Sequence, residues 1–467
     1  MKNGNTEKSI KSDLDRCVKC GMCLPECPTY RLETNENESP RGRLALIEGL
    51  TSGRLKADSA LLGHLDNCLA CRRCERVCPS QVPYGRLIDA ARARLFADRK
   101  PRLTDLMRNP ALLRAGVRIA RTVPEALSRP IGALHRMHEI ARALPVTAPA
   151  PSPGDYAPDT GRTQGHVGLF PGCIGNVQQS GALAAALRLL LHAGYRVSIP
   201  KTAVCCGALA QHAGDAVGAR RLAATNQRAF GQELDAIVSL ASGCGIHLDA
   251  YRPPLAAPHL DIGRFLLEQA GLRPNDFAPL PVSAGLHTAC SMENVYRGSP
   301  WARALLDLIP ELRIAAVGEA GQCCGAAGDY MLRRPQTAAS LRDPVVEQTV
   351  CGEHPLLLTG NVGCAMHLAA GLRERGACSC APSAAPCRIS RLGPEGRGLL
   401  WRPGAACWRY CRGTPPGDDK PRGVRPRAGC GSEPRQWLRD PSRRLPAAAG
   451  RATPRHRSLP ARAGRTA

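Results

Sequence analysis

The sequence predicts a multidomain chain: a mostly helical segment with two cysteine runs, a duplicated α/β cysteine-rich region, and a disordered C-terminal tail. Three observations carry this reading. Cysteines recur at C-x2-C-x2-C-x3-C-P spacing over residues 17–28 and again over 68–79. Strand–helix–strand patterning starts after a Pro-rich stretch and then repeats. Apolar periodicity stops after Arg375-Gly376, where Pro and Arg take over.

The first run is Cys17, Cys20, Cys23, Cys27-Pro28, and the second is Cys68, Cys71, Cys74, Cys78-Pro79. This is the spacing by which two-cluster ferredoxins hold [4Fe–4S] cubes. The short x2 intervals let three thiolates meet on one cube, while the fourth ligates the other. On that reading Cys17, Cys20, Cys23 and Cys78 hold one cluster, and Cys68, Cys71, Cys74 and Cys27 hold the second. C-x-x-C alone also suits zinc, but zinc explains neither the third and fourth Cys nor the Pro, twice over.

Length and composition bound the rest. The 467 residues leave room for about three domains. The start, Met1-Lys2-Asn3-Gly4, leads into no apolar stretch, and no run of uncharged apolar residues is long enough to span a bilayer. Neither a secretory signal nor a membrane span is therefore expected. The 23 Cys then read as reduced cytoplasmic thiols at metal spacings, not as a disulfide framework. Aromatic residues make up only 4% of the chain, which weighs against stacking on single-stranded nucleic acid. The net charge of +24 is unevenly placed: residues 377–467 hold 19 Lys/Arg against 5 Asp/Glu. Most of the basicity belongs to the tail, and no nucleic-acid partner is expected for the rest.

Between the runs, Ser39-Pro40-Arg41-Gly42-Arg43 reads as a turn into a helix with Leu44, Ile47 and Leu50 on one face. Leu61, Leu62 and Leu65 form a second apolar set, and Leu87, Ala91 and Leu95 a third helical face. Little here alternates with period two, so residues 1–100 are expected to form a helical ferredoxin domain.

Cys17 to Arg43, with Cys-Pro-Thr-Tyr-Arg at 27–31 and Ser-Pro-Arg-Gly-Arg at 39–43, resembles the iron–sulfur subunit of glycolate oxidase. So do His64-Leu65-Asp66-Asn67-Cys68 and Tyr84-Gly85-Arg86-Leu87-Ile88-Asp89. The resemblance implies a membrane-associated, flavin-containing complex that oxidises glycolate to glyoxylate. Relatives of that family serve lactate, glycerol-3-phosphate and heterodisulfide systems, so it secures the wider family better than the substrate.

Residues 101–164 read as a helical connector and Pro-rich linker. Its helices carry basic faces; a membrane surface could hold them, but the charge pattern favours a solvated connector. The extended stretch from Pro145 to Gln164 marks a domain boundary.

The first cysteine-rich repeat is expected at 165–270. A strand at 166–170 leads to Cys173, a helix around Leu183–Leu191 follows, the strand Tyr195–Ile199 precedes Cys205-Cys206, and Ala236–Leu240 precedes Cys244 and His247. The second repeat, at 271–376, places Gly285–Ala289 before Cys290, then Cys323-Cys324, then Leu356–Leu358 before Cys364 and His367. The three landmarks advance by 117, 118 and 120 residues, which indicates an internal duplication. The layout resembles the double cysteine-rich domain of heterodisulfide reductase subunits, whose thiolates hold an unusual iron–sulfur cluster. Here Cys244-x-x-His247 and Cys364-x-x-His367 replace the closing C-x-x-C. A further iron–sulfur cluster or metal on Cys173, Cys205, Cys206, Cys244 and His247, or on Cys290, Cys323, Cys324, Cys364 and His367, stands beside a zinc site and beside buried thiols acting as small hydrophobes. Cys351 has no counterpart and reads as a core residue.

No dinucleotide loop, phosphate loop or H-E-x-x-H motif occurs. A hydroxy acid cannot deliver a hydride to a cube that accepts single electrons, so a flavin (FAD) must sit on a partner subunit. The reading is then an electron-transfer subunit, cytoplasmic or peripheral on the inner face of the cytoplasmic membrane, feeding a quinone pool or another acceptor. The alternative from another class is a zinc-stapled scaffold or nucleic-acid-binding protein. Residues 377–467, with 13 Pro and six Cys at no metal spacing, cannot bury a core. They fit a reading-frame shift near residue 376 or, as the rival, a nucleic-acid-binding extension.

Overall fold

In the computed structural model the helical segment, the connector and both repeats lie within Met1–Pro415. The structure describes residues 4–96, 110–123, 132–143, 149–158, 161, 163–352, 354–375, 380–382, 389–391 and 399–401.

The first segment is helical, as its period predicts. Helices run over Gly4–Asp15, Pro28–Glu33, Pro40–Thr51, Ser59–Asp66, Arg73–Arg76 and Tyr84–Leu95. Pro40–Thr51 begins where Ser39 Oγ accepts from the Gly42 N–H, with Pro at the first position, a pairing that satisfies one orphan donor and presets φ. Asp58 caps Ser59–Asp66 in the same way, accepting from the Leu61 N–H. Their apolar faces meet in one core of Leu14, Leu44, Ile47, Leu61, Leu65, Leu87, Ile88 and Ala91.

The connector is not merely solvated. Helix Pro110–Thr122 packs Leu113 and Val117 onto Ala141 of helix Gly132–Ala143, and Ile140 of the latter reaches the second repeat's core. The Pro-rich stretch is also more than a linker. Gly154–Tyr156 (β1) pairs antiparallel with Tyr195–Ile199 (β3) and forms a sheet edge, where Pro-flanked strands are tolerated.

Each repeat is a parallel sheet covered by helices. In the first, Gly165–Phe170 (β2) lies between β3 and Ala236–Ser239 (β4), and His259–Asp261 (β5) follows at the far edge, giving the order β1-β3-β2-β4-β5. Alternate strand residues serve opposite faces. Val167, Leu169 and Val238 pack on helices Ser180–His192 and Ile262–Glu268, while Phe170 and Ile237 meet Phe230, Leu248 and Tyr251. The second repeat has the order β7-β6-β8-β9, from Arg313–Ala316 (β7), Ser283–His287 (β6), Leu356–Thr359 (β8) and Cys380–Pro382 (β9), all parallel. Strand β9 corresponds to β5, so the duplication extends to the edge strand.

Three expectations are corrected. Strand β6 ends at His287, not Ala289. The second sheet draws β9 from beyond residue 376, and Ile389–Arg391 pairs antiparallel with Leu399–Trp401; the rest of the tail lies outside the described residues. Cys351, expected in the core, is exposed, because it ends helix Pro335–Cys351 on the face turned away from the buried Val345, Val346 and Thr349.

Candidate functional site

Two cavities in the helical segment gather the eight motif cysteines. The first is lined by Cys17, Cys20, Cys23 and Cys78. The second is lined by Cys27, Cys68 and Cys71. Cys74, Pro40 and Tyr84 line both, forming a shared wall. Each run therefore lends its fourth cysteine to the other run's cavity. Cys20 is exposed, Cys27 and Cys74 are buried, and the remaining five are half-buried.

The backbone explains how so short a stretch encircles a cavity. Lys19 and Gly21 in the first loop, and Ala70 and Arg72 in the second, have φ of 57°, 84°, 52° and 58°. These left-handed residues flank the middle cysteine at equivalent positions in both runs and turn the chain around it. Gly suits that region without strain. Arg72 is held there by Glu75, 2.7 Å from its Nε.

The donor chemistry fits iron–sulfur clusters. Burial pushes the Cys23 thiol up to about 11 and holds Cys71 and Cys74 well above the ordinary thiol range. Thiolates packed this closely need a cationic centre between them. Among the described residues no three His, Cys, Asp or Glu side chains converge on the position of a single ion; these thiols ring cavities instead.

Sequence reasoning missed the groups behind the sulfurs. Thr29 Oγ1 lies 3.3 Å from Cys27 Sγ, and Tyr84 donates its hydroxyl to Cys68 Sγ at 3.5 Å. Arg43, 1% exposed, places Nη1 3.9 Å from Cys27 Sγ. A charged side chain within the apolar face of Leu44 and Ile47 was the available signal.

In the repeats every cysteine landmark follows the carboxyl end of a parallel strand, where open α/β sheets gather sites. In the first, Cys205 hydrogen-bonds Cys173 and Cys206, and Cys206 also bonds Cys244. Asn226 and Tyr251, not foreseen, clamp this double-cysteine loop. Asn226 Nδ2 donates to Cys205 O at 3.1 Å and Tyr251 Oη to Cys206 O at 2.6 Å. His247 sits edge-on to Tyr251, 5.7 Å between centroids, near Cys205, and burial lowers it to about 4.

The second set pairs the same way. Cys324 Sγ is 2.8 Å from Cys364 Sγ, and a hydrogen bond from Cys323 holds Cys290 below the ordinary thiol range. His367 points elsewhere: its Nε2 meets Ala338 O at 3.2 Å.

The second repeat also lies against the second cavity. Cys71 packs on the core that holds Cys290, Cys323, Cys324 and Cys364. Arg73 and Arg31 pair with Glu319, Arg76 with Glu293, and Arg333 with Asp66. The first repeat meets the helical segment at another point, through His212 and Asp89 at 2.9 Å.

Comparison with known proteins agrees with these parts. Residues 13–82 match the 4Fe-4S dicluster domain, and residues 167–249 and 284–369 each match the Cysteine-rich domain. The glycolate oxidase iron-sulfur subunit of Escherichia coli (strain K12) is 30% identical over 394 residues, 78% of this chain and 93% of that one. The probable glycolate oxidase iron-sulfur subunit of Bacillus subtilis (strain 168) is 29% identical over 413 residues, with 80% and 93% covered. Lactate utilization protein A of Geobacillus thermodenitrificans (strain NG80-2) is 25% identical over 216 residues, with 43% and 89% covered. With its two thiol-lined cavities and duplicated cysteine-rich sheets, the chain is an iron–sulfur protein that belongs to the glycolate oxidase iron–sulfur subunit family.

Proposed function

We propose that this chain is the electron-transfer subunit of a flavin-dependent complex oxidising glycolate to glyoxylate. It would take electrons from an FAD-containing partner subunit and pass them towards quinone or another acceptor. The observation that carries this reading is the shared wall of Pro40, Cys74 and Tyr84 between two thiol-lined cavities. Cys17, Cys20, Cys23 and Cys78 are the proposed ligands of the first [4Fe–4S] cluster, and Cys68, Cys71, Cys74 and Cys27 those of the second. When bound, such clusters take up and release single electrons.

The protein's own residues do the rest. The exposed loop at Cys20, with Val18 and Met22 beside it, opens the first cavity to a redox partner. Leu69, Tyr84 and Arg43 form a buried part of the second cavity's wall. Cys71 packs on the core that holds Cys323 and is near enough to Cys290 and Cys323 for their charges to interact, continuing the line of sulfur into the second repeat. That makes Cys290, Cys323, Cys324 and Cys364 the favoured further metal or cluster site, ahead of Cys173, Cys205, Cys206 and Cys244.

Among the described residues no helix is long and apolar enough to cross a membrane. We place the chain in the cytoplasm. Helix Pro110–Thr122 could touch the inner membrane face through exposed Leu112 and Ile119, flanked by Arg114 and Arg118. Sedimentation with anionic but not neutral vesicles tests that contact, and equal recovery with both vesicle types or with neither would exclude it.

The choice of glycolate rests on the Escherichia coli and Bacillus subtilis relatives. The test is anaerobic reduction of the purified chain in the presence of an FAD-containing 2-hydroxy-acid dehydrogenase from the same organism. Bleaching of the cluster absorbance by glycolate supports the proposal. Bleaching by lactate alone moves the chain to a lactate system, and bleaching by neither rejects the hydroxy-acid reading.

A further inference from the structure

The second cavity carries a buried cation that the first lacks. Arg43 is fixed on every side of its guanidinium. Nε donates to His64 O at 2.8 Å, Nη1 to Glu38 O at 2.6 Å, and Nη2 to Thr29 Oγ1 at 3.1 Å and to the Glu38 carboxylate. Glu38 is held in turn by His64 Nδ1 at 2.6 Å and Asn67 Nδ2 at 2.7 Å. Burying such a pair is expensive, and apolar side chains of similar volume often serve stability as well. Stability alone therefore gives a poor account of it.

What distinguishes the pair is its direction. The guanidinium reaches Cys27 Sγ at 3.9 Å, while the Glu38 carboxylate oxygens contact Arg43, His64 and Asn67. The guanidinium is thus the charged group at the sulfur, beside the Glu38 carbonyl oxygen, which accepts from Cys27 Sγ at 3.4 Å. In the first cavity the sulfur contact is a backbone one, Val82 N–H to Cys78 Sγ at 3.5 Å. Arg41, which lines that cavity, is partly exposed and bonded to Glu36 and to Lys19 O.

We infer that Arg43 is a positioning residue for charge that raises the reduction potential of the second cluster by acting through Cys27, with Glu38 opposing it. Reduction adds one negative charge to a cluster. Burial disfavours that charge, and a cation or hydrogen-bond donor at a ligand sulfur favours it. Water screens the guanidinium less at this depth than at the surface, and Glu38 cancels part of its field. Arg43 thereby offsets part of what burial costs the reduced second cluster.

The inference rests on the ligand assignment proposed above. The test is an EPR-monitored redox titration of the full chain, with the two steps assigned by Cys78→Ser, which disturbs the first cavity. Arg43→Met is expected to move the second step to more negative potential, Glu38→Gln to more positive potential, and neither to move the first. Arg43→Lys, which keeps the charge, should fall between wild type and Arg43→Met. Unmoved potentials with both clusters intact, or shifts of the same sign in Arg43→Met and Glu38→Gln, would overturn the inference, since a merely structural role has no reason to change sign. If Arg43→Met loses its iron, Glu38→Gln decides: a positive shift of the second step supports the inference, and no shift or a negative one rejects it. A second cluster left intact by Cys27→Ser would instead break the ligand assignment, which separates the two failures.

Discussion

Asn294 donates its Nδ2 to the carbonyl of Cys71 at 2.9 Å, and to that of Gly321 at 3.1 Å. One buried side chain thus ties the middle of the second cysteine run to the loop before Cys323-Cys324. Asn294→Leu keeps the volume and leaves two carbonyls without this donor, at about 1–3 kcal/mol for each group left unsatisfied. A lowered melting temperature is expected, together with faster iron loss to a chelator from the second cluster than from the first. Equal loss from both would show that Asn294 does not specifically support this loop.

The exchange of fourth cysteines predicts a pattern of non-additivity. Cys78→Ser combined with Cys17→Ser should lose no more iron than either alone, about four atoms per chain, because both sit on one cavity. Cys78→Ser combined with Cys68→Ser should lose about twice that. The reverse pattern would assign each cluster to a single run.

Stability should fall on mild acidification through three histidines. His247, His287 and His367 are held neutral by burial, each lowered to about 4. The unfolded chain binds their protons near pH 6.5. The stability linked to each is intact above about 6.5 and is lost as pH drops from there towards 4, at about 1.4 kcal/mol per pH unit. Asp261, raised to about 6 by burial, works in the opposite direction, so the informative quantity is a difference between proteins. His367→Gln can still donate to Ala338 O, and its urea midpoint should drop less than wild type's between pH 7 and pH 5. Parallel slopes would show that His367 is not the titrating group.

Two glycines should respond oppositely to alanine. At Gly214, with φ +91°, an added Cβ would lie 2.6 Å from Arg92 O, where the helical segment meets the first repeat. Strain and clash together should destabilise Gly214→Ala by about 2 kcal/mol or more. Gly116 lies exposed within helix Pro110–Thr122 with nothing within 4 Å of its Cβ position. There Ala should stabilise by about 0.5–1 kcal/mol. Thermal melts of both variants check the pair, and a stabilised Gly214→Ala would remove the close approach from the account.

Much of the architecture was legible because its signals are local. The cysteine runs state their chemistry within a dozen residues each, and the long helices and central strands follow their apolar periods. The edge strands β1, β5, β7 and β9 did not announce themselves. Each has only three or four residues, and none carries the adjacent Leu, Ile or Val residues that mark the equally short β4 and β8. Cys351 was misjudged because cysteine is usually buried, and sequence alone did not show that its helix turns it outward. Arg43 could not be assigned a role because its partners come from three separate elements: Cys27 and Thr29 from one, Glu38 and His64 from two others. Likewise the packing of Cys71 and Cys290 on one core joins residues far apart in the chain, which motif spacing does not encode.

The central claim is that the eight cysteines of residues 17–78 hold two [4Fe–4S] clusters. Iron, sulfide and zinc analysis of anaerobically purified chain, with EPR of the reduced sample, tests it most directly. About eight irons with matching sulfide and two reducible signals are expected, and more iron would implicate the cysteine-rich repeats as well. Stoichiometric zinc with no reducible signal would contradict the account.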